Sequence, residues 1–409
     1  ACEGFQSQQQ AEAFYKKARA QRANIRKLIG QDLRQSIARY DSAHVTLEPT
    51  FFSDMLGIQG RLDFLYRHKK QTIIIEQKSG KGDFVPPSSP SYDPEVPKPQ
   101  EKHLVQLLLY RALLTYEFNL HSEELSHIML LYSRYQQGLV SVGQMPALML
   151  RAIRMRNLLA WCEIHHAQEG YAFLSTLSPE KLNRKQVGGI LWNIYVRPEL
   201  ERLLLPIHQA SPLERAYFLR FMQFLAQERL LSKVGSKTKE DAGFASKWLS
   251  SLEEKRAAGN IYEGLILDDF QQDDDGVTGL MARFPQQQSA DTSNFRRGDI
   301  VLLYPYKEHT EPRVCAQMVI RGSIEDISTE GIRLTLRNGQ TDPKVFAKGS
   351  HTYWAIEHDL YDSSIDNLYS GLHRFLCAPQ ERRSLLLSER EPVTDNSISL
   401  RGDYGAFNN

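Results

Sequence analysis

The run Thr72-Ile73-Ile74-Ile75-Glu76 constrains this chain more than any other stretch. Consecutive β-branched residues are the kind that fill a buried strand. This run closes on a carboxylate, and a charge at the end of a buried strand is costly without a partner. Lys78 follows two residues later. Side chains at i and i+2 share one face of a strand, so Glu76 and Lys78 are expected to point the same way.

Upstream, residues 57–66 alternate enough to form a strand that carries Asp63. His68-Lys69-Lys70-Gln71 reads as a polar turn, and the resulting hairpin would bring Asp63 alongside Glu76. Two carboxylates make a hard, oxygen-rich site suited to Mg²⁺ or Mn²⁺. Gln77 can add its backbone carbonyl while its side chain faces away. Lys78 can orient an attacking water or stabilise charge on a phosphorane-like transition state. A bound metal lowers the pKa of its water and neutralises a scissile phosphate. Ser79-Gly80-Lys81-Gly82 is a flexible basic turn, as expected beside phosphates. A helix over 101–118 follows, with Gln106 and Tyr110 at i and i+4 on one face.

The surrounding pattern is mixed. Residues 9–40 read as helix, with Phe14, Ala18, Ile25, Leu28 and Ile29 at helical spacing. Residues 45–47 are β-prone, and 85–99 form a Pro- and Ser-rich loop. Residues 127–132 read as a buried strand paired with 138–142, and 145–165 as a helix. Residues 167–255 are nearly all helical in pattern, with Ser211, Pro212 and Glu214 forming a capping-box signature. From about residue 260 the period switches to β. Strands are expected over 261–267, 279–284, 299–304, 314–324, 331–336 and 352–358, with Arg337-Asn338-Gly339 as a turn signal. Six short strands at this spacing suggest a small antiparallel barrel. Residues 361–390 read as helix.

A chain of 409 residues suggests two or three domains. Its net charge is +1, so nucleic-acid contact must come from local basic patches rather than a global field. Candidates are Arg296 and Arg297 before a barrel strand, and Lys233, Lys237 and Lys239 after the long helix, each with a solvated charged face as the competing reading. Arg382 and Arg383 read as structural or exposed. The acidic stretch 268–275 reads as a solvated loop. Asp273, Asp275 and Gly276 fit an EF-hand only weakly, because its first and last positions would be Gln271 and Ala282. Cys2, Cys162, Cys315 and Cys377 are scattered without a C-x-x-C pair, which argues against a zinc ribbon and for free thiols in a reducing intracellular compartment of cytoplasmic type. No apolar run reaches the length of a membrane span, so no membrane partner is expected. The start, ACEGFQSQQQ, reads as neither signal nor transit peptide and lacks Met, so a piece of a longer chain is expected.

The pattern GRLDFL…IIIEQKSGKGDF…HLVQLLLY resembles the RecB-type branch of the PD-(D/E)xK nuclease superfamily. It is most similar to the nuclease domain of helicase–nucleases that process replication flaps and to CRISPR-associated RecB-like exonucleases. The motifs cover about the first third of the chain. The resemblance implies metal ligation by Asp63 and Glu76, a catalytic role for Lys78, and a Q-x-x-x-Y helix at Gln106 and Tyr110 that positions DNA and the site. That branch also has an upstream helical His that binds metal. No such motif is found. His44 lies in the right direction but on a loop or strand start rather than a helix, which favours an ordinary surface His, and Glu48 is a candidate further carboxylate. Relatives with an iron–sulfur cluster carry close cysteines that this chain lacks, so no cluster is expected.

The later segments extend the resemblance. SPLERAYFLRFMQFLAQERLLSKVG is similar to the helical stalk after the nuclease in helicase–nuclease fusions. SNFRRGDIVLLYP resembles the opening of the accessory β-barrel of superfamily 1B helicases, and 353–387 resembles the connector into their motor. No Walker A pattern occurs, so no ATP site is expected in this chain and the motor would belong to a longer protein. The expected fold is therefore α+β multidomain: a PD-(D/E)xK α/β nuclease core over 1–165, a helical stalk over 166–258, a small antiparallel β-barrel over 259–360 and a connector over 361–409. The expected activity is metal-dependent hydrolysis of single-stranded or flap DNA in replication or repair. The alternatives are a catalytically degenerate DNA-binding module and a restriction-type defence nuclease acting on duplex DNA.

Overall fold

The computed structural model describes residues 4, 7–37, 40–41, 44–118, 120, 124–236, 243–273, 276–285, 293–315, 317–340, 343–347, 349, 352–359, 364–393 and 397. It is mixed α/β, with helices, open sheets and a closed six-stranded antiparallel barrel. Its described residues group into two compact units, one within Ala1–Leu158 and Val234–Tyr361, the other within Leu159–Lys233 and Asp362–Asn409.

In the first unit, α1 (Gln8–Lys27) passes through a π-helical turn, Leu28–Asp32, into the short α2 (Leu33–Ser36). Only its C-terminal part is tucked in: Leu28 and Leu33 are buried, whereas Phe14 is exposed. The helix expected to run to residue 40 ends at Ser36, because Ile37 adopts an extended backbone. Then come β1 (Val45–Leu47), β2 (Thr50–Ser53), β3 (Ile58–Arg61), β4 (Phe64–His68) and β5 (Gln71–Lys78). The chain continues into α3 (Glu101–Glu117), β6 (Leu125–Tyr132), β7 (Leu139–Ser141) and α4 (Pro146–Glu169), whose residues beyond Leu158 belong to the second unit.

The main sheet has the order β1-β4-β5-β6-β7. β5 and β6 are parallel, with Glu76 opposite Leu130 and Lys78 opposite Tyr132, and the other pairs are antiparallel. A parallel pair needs a long crossover, which the loop after Lys78 and α3 supply. The β6–β7 pairing expected across Tyr135-Gln136-Gln137 is present. Alternation along β5 divides the core. Ile74 packs with Leu107, Leu108 and Leu114 of α3, while Ile73 and Ile75 pack with Leu28 and Leu33 beneath α1 and α2. Each fully buried Ile contributes roughly 2 kcal/mol of transfer free energy. The α3 face of β5 is the face that carries Glu76 and Lys78.

The single strand expected over 57–66 is two strands. β3 pairs with β2 and β4 with β1 and β5, so the chain changes sheets at Leu62-Asp63. Leu62 is fully buried and its N–H donates to Pro49 O at 3.0 Å, which pins the crossover. Phe52 of β2 packs among Ile261, Leu302 and Tyr304, so the β2–β3 hairpin also meets the barrel within this unit.

In the second unit, α5 (Pro179–Leu182) and α6 (Arg197–Gln209) precede α7 (Pro212–Val234). The expected capping box is formed: Ser211 Oγ accepts Glu214 N–H at 3.2 Å and Glu214 Oε2 accepts Ser211 N–H at 2.9 Å. Back in the first unit, α8 (Ser246–Leu249) and α9 (Leu252–Ala257) lead to the barrel. Its strands are β8 (Ile261–Asp273), β9 (Gly276–Arg283), β10 (Ile300–Lys307), β11 (Ile320–Ile327), β12 (Gly331–Gln340) and β13 (Thr352–His358). They close in the order β10-β11-β12-β9-β8-β13 around a core that includes Leu265, Leu280, Val301, Leu303, Leu334 and Ile356.

Three barrel details differ from expectation. Val314, Cys315 and residues 317–319 are not strand, and Val319 bridges to Thr50 of β2 instead; Ala316 lies outside the described residues. Asn338-Gly339 is not a turn but lies within β12, at a register shift against β9 between Thr335 and Gln340. Asp268 and Asp269 are not loop but lie on β8, where they pair with Arg283 and Arg333. Asp273 is also on β8, whereas Asp275 lies outside the described residues.

In the second unit, α10 (Ser364–Cys377) and α11 (Gln380–Leu386) follow, with Leu376 buried against Ile207 and Phe218. Arg383 donates to buried Glu214 at 2.7 Å, a structural pairing. Among the described residues, no helix is long and apolar enough to cross a membrane.

Candidate active site

Four side chains meet where β5 ends against α3. Lys78 Nζ donates to Glu76 Oε1 at 2.7 Å and to Gln106 Oε1 at 2.9 Å. Gln106 Nε2 donates to the same Glu76 oxygen at 2.7 Å and to Tyr110 OH at 2.9 Å. The local cause is periodicity: i and i+2 on β5 face α3, and i and i+4 on α3 face β5. Gly60 makes room, since a Cβ there would lie 2.6 Å from the Tyr110 ring.

Asp63 reaches this cluster from the link between β3 and β4. It continues the β4–β5 ladder one residue past the Phe64–Ile75 pair, and its Oδ2 accepts Gln77 N–H at 2.7 Å. It is thus the N–H of Gln77 that meets Asp63. Gln77's side chain is exposed on the other face, as its place in the strand requires. The end of β5 is itself fastened. Ser133 N–H donates to Lys78 O at 3.0 Å, Ser133 Oγ donates to Gln21 Oε1 at 2.7 Å, and Asn24 Nδ2 donates to Ser133 O at 3.0 Å.

Glu76 is 3% exposed. Its Oε1 accepts both Lys78 and Gln106, but its Oε2 is buried without a hydrogen-bond partner. Leaving such an acceptor unsatisfied costs about 1–3 kcal/mol, more for a charged group. Burial, and then the nearby Asp63 charge, push the Glu76 carboxyl above its ordinary range against the hydrogen bond and charge of Lys78 and the weaker pull of the Asp63 backbone N–H. Burial also raises the Tyr110 phenol. A buried carboxylate oxygen without a hydrogen-bond donor, close enough to Asp63 to feel its charge, fits a small divalent cation that Asp63 and Glu76 could hold.

The two remaining candidates lie apart. Glu48 donates its N–H to Asp63 O at 3.2 Å, but its carboxylate is turned to Arg61, 3.4 Å away. His44 stacks on His68, with ring centroids 4.0 Å apart, beside the turn of the β4–β5 hairpin. At about 3.3 Å per residue that end is roughly 15 Å along the strand from Glu76. Of the basic candidates, Lys233 is engaged by Glu163 at 2.6 Å, whereas Arg296 and Arg297 are exposed. Lys237 and Lys239 lie outside the described residues.

Two groupings escaped the sequence. Asp54, Glu117 and Cys315 bring ligand atoms within 4.8 Å of one another, from three distant stretches of chain. Burial, foremost, holds the Cys315 thiol up at about 12 in the metal-free protein, so a cation there would have to displace its proton. The second is His103, whose Nδ1 lies 2.8 Å from Tyr132 OH on the face of α3 that carries Gln106 and Tyr110. Its signal was the spacing 103, 106, 110, which is i, i+3, i+7.

No protein-family model matches the chain, and no curated protein matches it in sequence. The functional reading therefore rests on the geometry and on the motif resemblance.

Proposed function

We propose that the chain is a metal-dependent nuclease that hydrolyses phosphodiester bonds of DNA, with single-stranded or flap DNA as substrate. The reading includes a RecB-type PD-(D/E)xK core, with the helical unit and barrel as the accessory parts of a helicase–nuclease. The observation that carries it is the partnerless buried Oε2 of Glu76, set beside Asp63 and on the strand face of Lys78.

Asp63 and Glu76 would hold Mg²⁺ or Mn²⁺. When bound, such an ion supplies Lewis acidity and a water of lowered pKa. The chain's own residues do the rest. Lys78 spends two of its hydrogens on Glu76 and Gln106 and keeps a third for a phosphate oxygen or the attacking water. Gln106 fixes both partners of that pair, and Tyr110 fixes Gln106. The ammonium is therefore aimed before substrate arrives, which is the condition under which charge stabilisation is largest.

The test is cleavage of a labelled single-stranded oligonucleotide in Mg²⁺ or Mn²⁺. Asp63→Ala and Lys78→Ala should each lower the rate by about 10²-fold or more. Undiminished cleavage by both variants contradicts the assignment. A second reading, a catalytically silent DNA-binding module of the same fold, is favoured by the convergence of only two carboxylates at Glu76 among the described residues. It predicts oligonucleotide binding without cleavage. Preference for duplex over single strands would point instead to a restriction-type enzyme.

A further inference from the structure

His103 stands beside this site, and the mechanism above gives it no role. It precedes Gln106 by three residues and Tyr110 by seven on α3, so the three share one helical face. Its Nδ1 lies 2.8 Å from Tyr132 OH, and that same hydroxyl accepts Gln100 N–H at 3.0 Å. A phenol has a single hydrogen. Gln100 N–H takes one lone pair of the oxygen, and because Tyr132 is fully buried, directing its hydroxyl hydrogen at Nδ1 is the arrangement that leaves neither group unsatisfied. Nδ1 is then the acceptor, and the ring proton resides on Nε2.

The lock is rigid. Tyr132 is fully buried on β6 and opposite Lys78 in the parallel β5–β6 register. His103 is only partly buried, and its Nε2 has no partner among the described residues. Burial, then the charges of Lys78 and Lys102, hold the imidazole below its ordinary range, which keeps it neutral at physiological pH. Lys78 is thus near enough to be felt electrostatically.

We propose that His103 contacts substrate: its Nε2–H, fixed in that tautomer by Tyr132, donates to a non-bridging phosphate oxygen beside the one Lys78 engages. This rests on the nuclease reading above. The physical gain is a second donor aimed at the phosphate that requires no reorientation as charge develops there. A purely structural His103 would do no more than accept the Tyr132 hydroxyl, and its loss would leave the chemistry of cleavage unchanged.

The test separates the two ring nitrogens. His103→Ala in the full chain should lower kcat for single-stranded DNA cleavage by about 10²-fold while KM changes far less. His103→Gln, whose amide nitrogen reaches the Nε2 position, should restore at least about tenfold of that loss, and His103→Asn, which mimics Nδ1, should not. In ¹⁵N-histidine NMR with EDTA present, the His103 Nε2 resonance should report a protonated nitrogen and shift when a thymidine oligonucleotide is added. If His103→Ala retains full activity while Lys78→Ala is inactive, the His103 inference is overturned and the nuclease reading stands. Rescue by Asn and not by Gln also overturns it. If the unaltered chain cuts nothing, the nuclease reading fails, and an Nε2 resonance that ignores the oligonucleotide then overturns His103 as a phosphate contact.

Discussion

Lys78 Nζ and Glu76 Oε1 lie 2.7 Å apart on one face of β5, and the other oxygen of Glu76 is buried with no partner. The pair is asymmetric. One carboxylate oxygen is crowded by two donors, and the other has none. That asymmetry makes several quantities measurable.

Glu76→Gln tests the cost of the buried charge. Because the folded-state pKa of Glu76 is raised, mainly by burial, the folded protein binds its proton more tightly than the unfolded chain. Its destabilising effect is therefore absent below the ordinary carboxyl pKa and grows as pH rises through the folded value. In metal-free buffer, Glu76→Gln should raise the melting temperature at pH 7 and lose that advantage at acidic pH. An unchanged melting temperature at both pH values would contradict the desolvation argument.

Metal should reverse that order. A cation at about 100 times its Kd adds about 2.7 kcal/mol of stability to the state that binds it. Mn²⁺ should raise the melting temperature of the parent protein and leave that of Glu76→Gln and Asp63→Ala unmoved. Equal shifts in all three would place the binding elsewhere.

Gly60→Ala probes the support of the site. The added Cβ would sit 2.6 Å from the Tyr110 ring, so the ring must move and Gln106 loses its anchor. Overpacking of this kind costs about 1–3 kcal/mol. Denaturant unfolding should show that loss, together with a fall in cleavage rate larger than any change in oligonucleotide affinity.

The barrel offers an independent test. Lys247 is 3% exposed, and burial, foremost, lowers its pKa to about 8 against the charges of Glu357 and Asp359. The unfolded chain keeps that proton up to the ordinary lysine range, so stability should rise as pH increases from about 8 towards about 10.4. Lys247→Met should be more stable than the parent at pH 7, by up to about 3 kcal/mol, and should lack this rise. Parallel pH profiles for the two proteins would contradict it.

Much of this site was legible locally. The two-residue period of a strand set Glu76 and Lys78 on one face, and the helical period set Gln106 and Tyr110 on another. What local pattern could not show was where the chain changes partners. Leu62-Asp63 looks like mid-strand, yet it is the crossover between two sheets, because Leu62 is captured by the core and by Pro49. Asp268 and Asp269 looked like solvated loop because their partners, Arg283 and Arg333, lie far along the chain. His103 went unnoticed because Tyr132, which fixes its ring, comes from the next strand. His44 fell on the correct side of the motif in sequence and at the wrong end of the hairpin in space.

The proposed nuclease requires Asp63 and Glu76 to hold a divalent cation jointly beside Lys78. Anomalous diffraction from crystals of the protein soaked in Mn²⁺ measures that directly. One strong peak is expected at about 2.1 Å from a carboxylate oxygen of Asp63 and from Oε2 of Glu76. Mn²⁺ bound only at Asp54 and Glu117, or no peak at Glu76 under conditions that support cleavage, would contradict it.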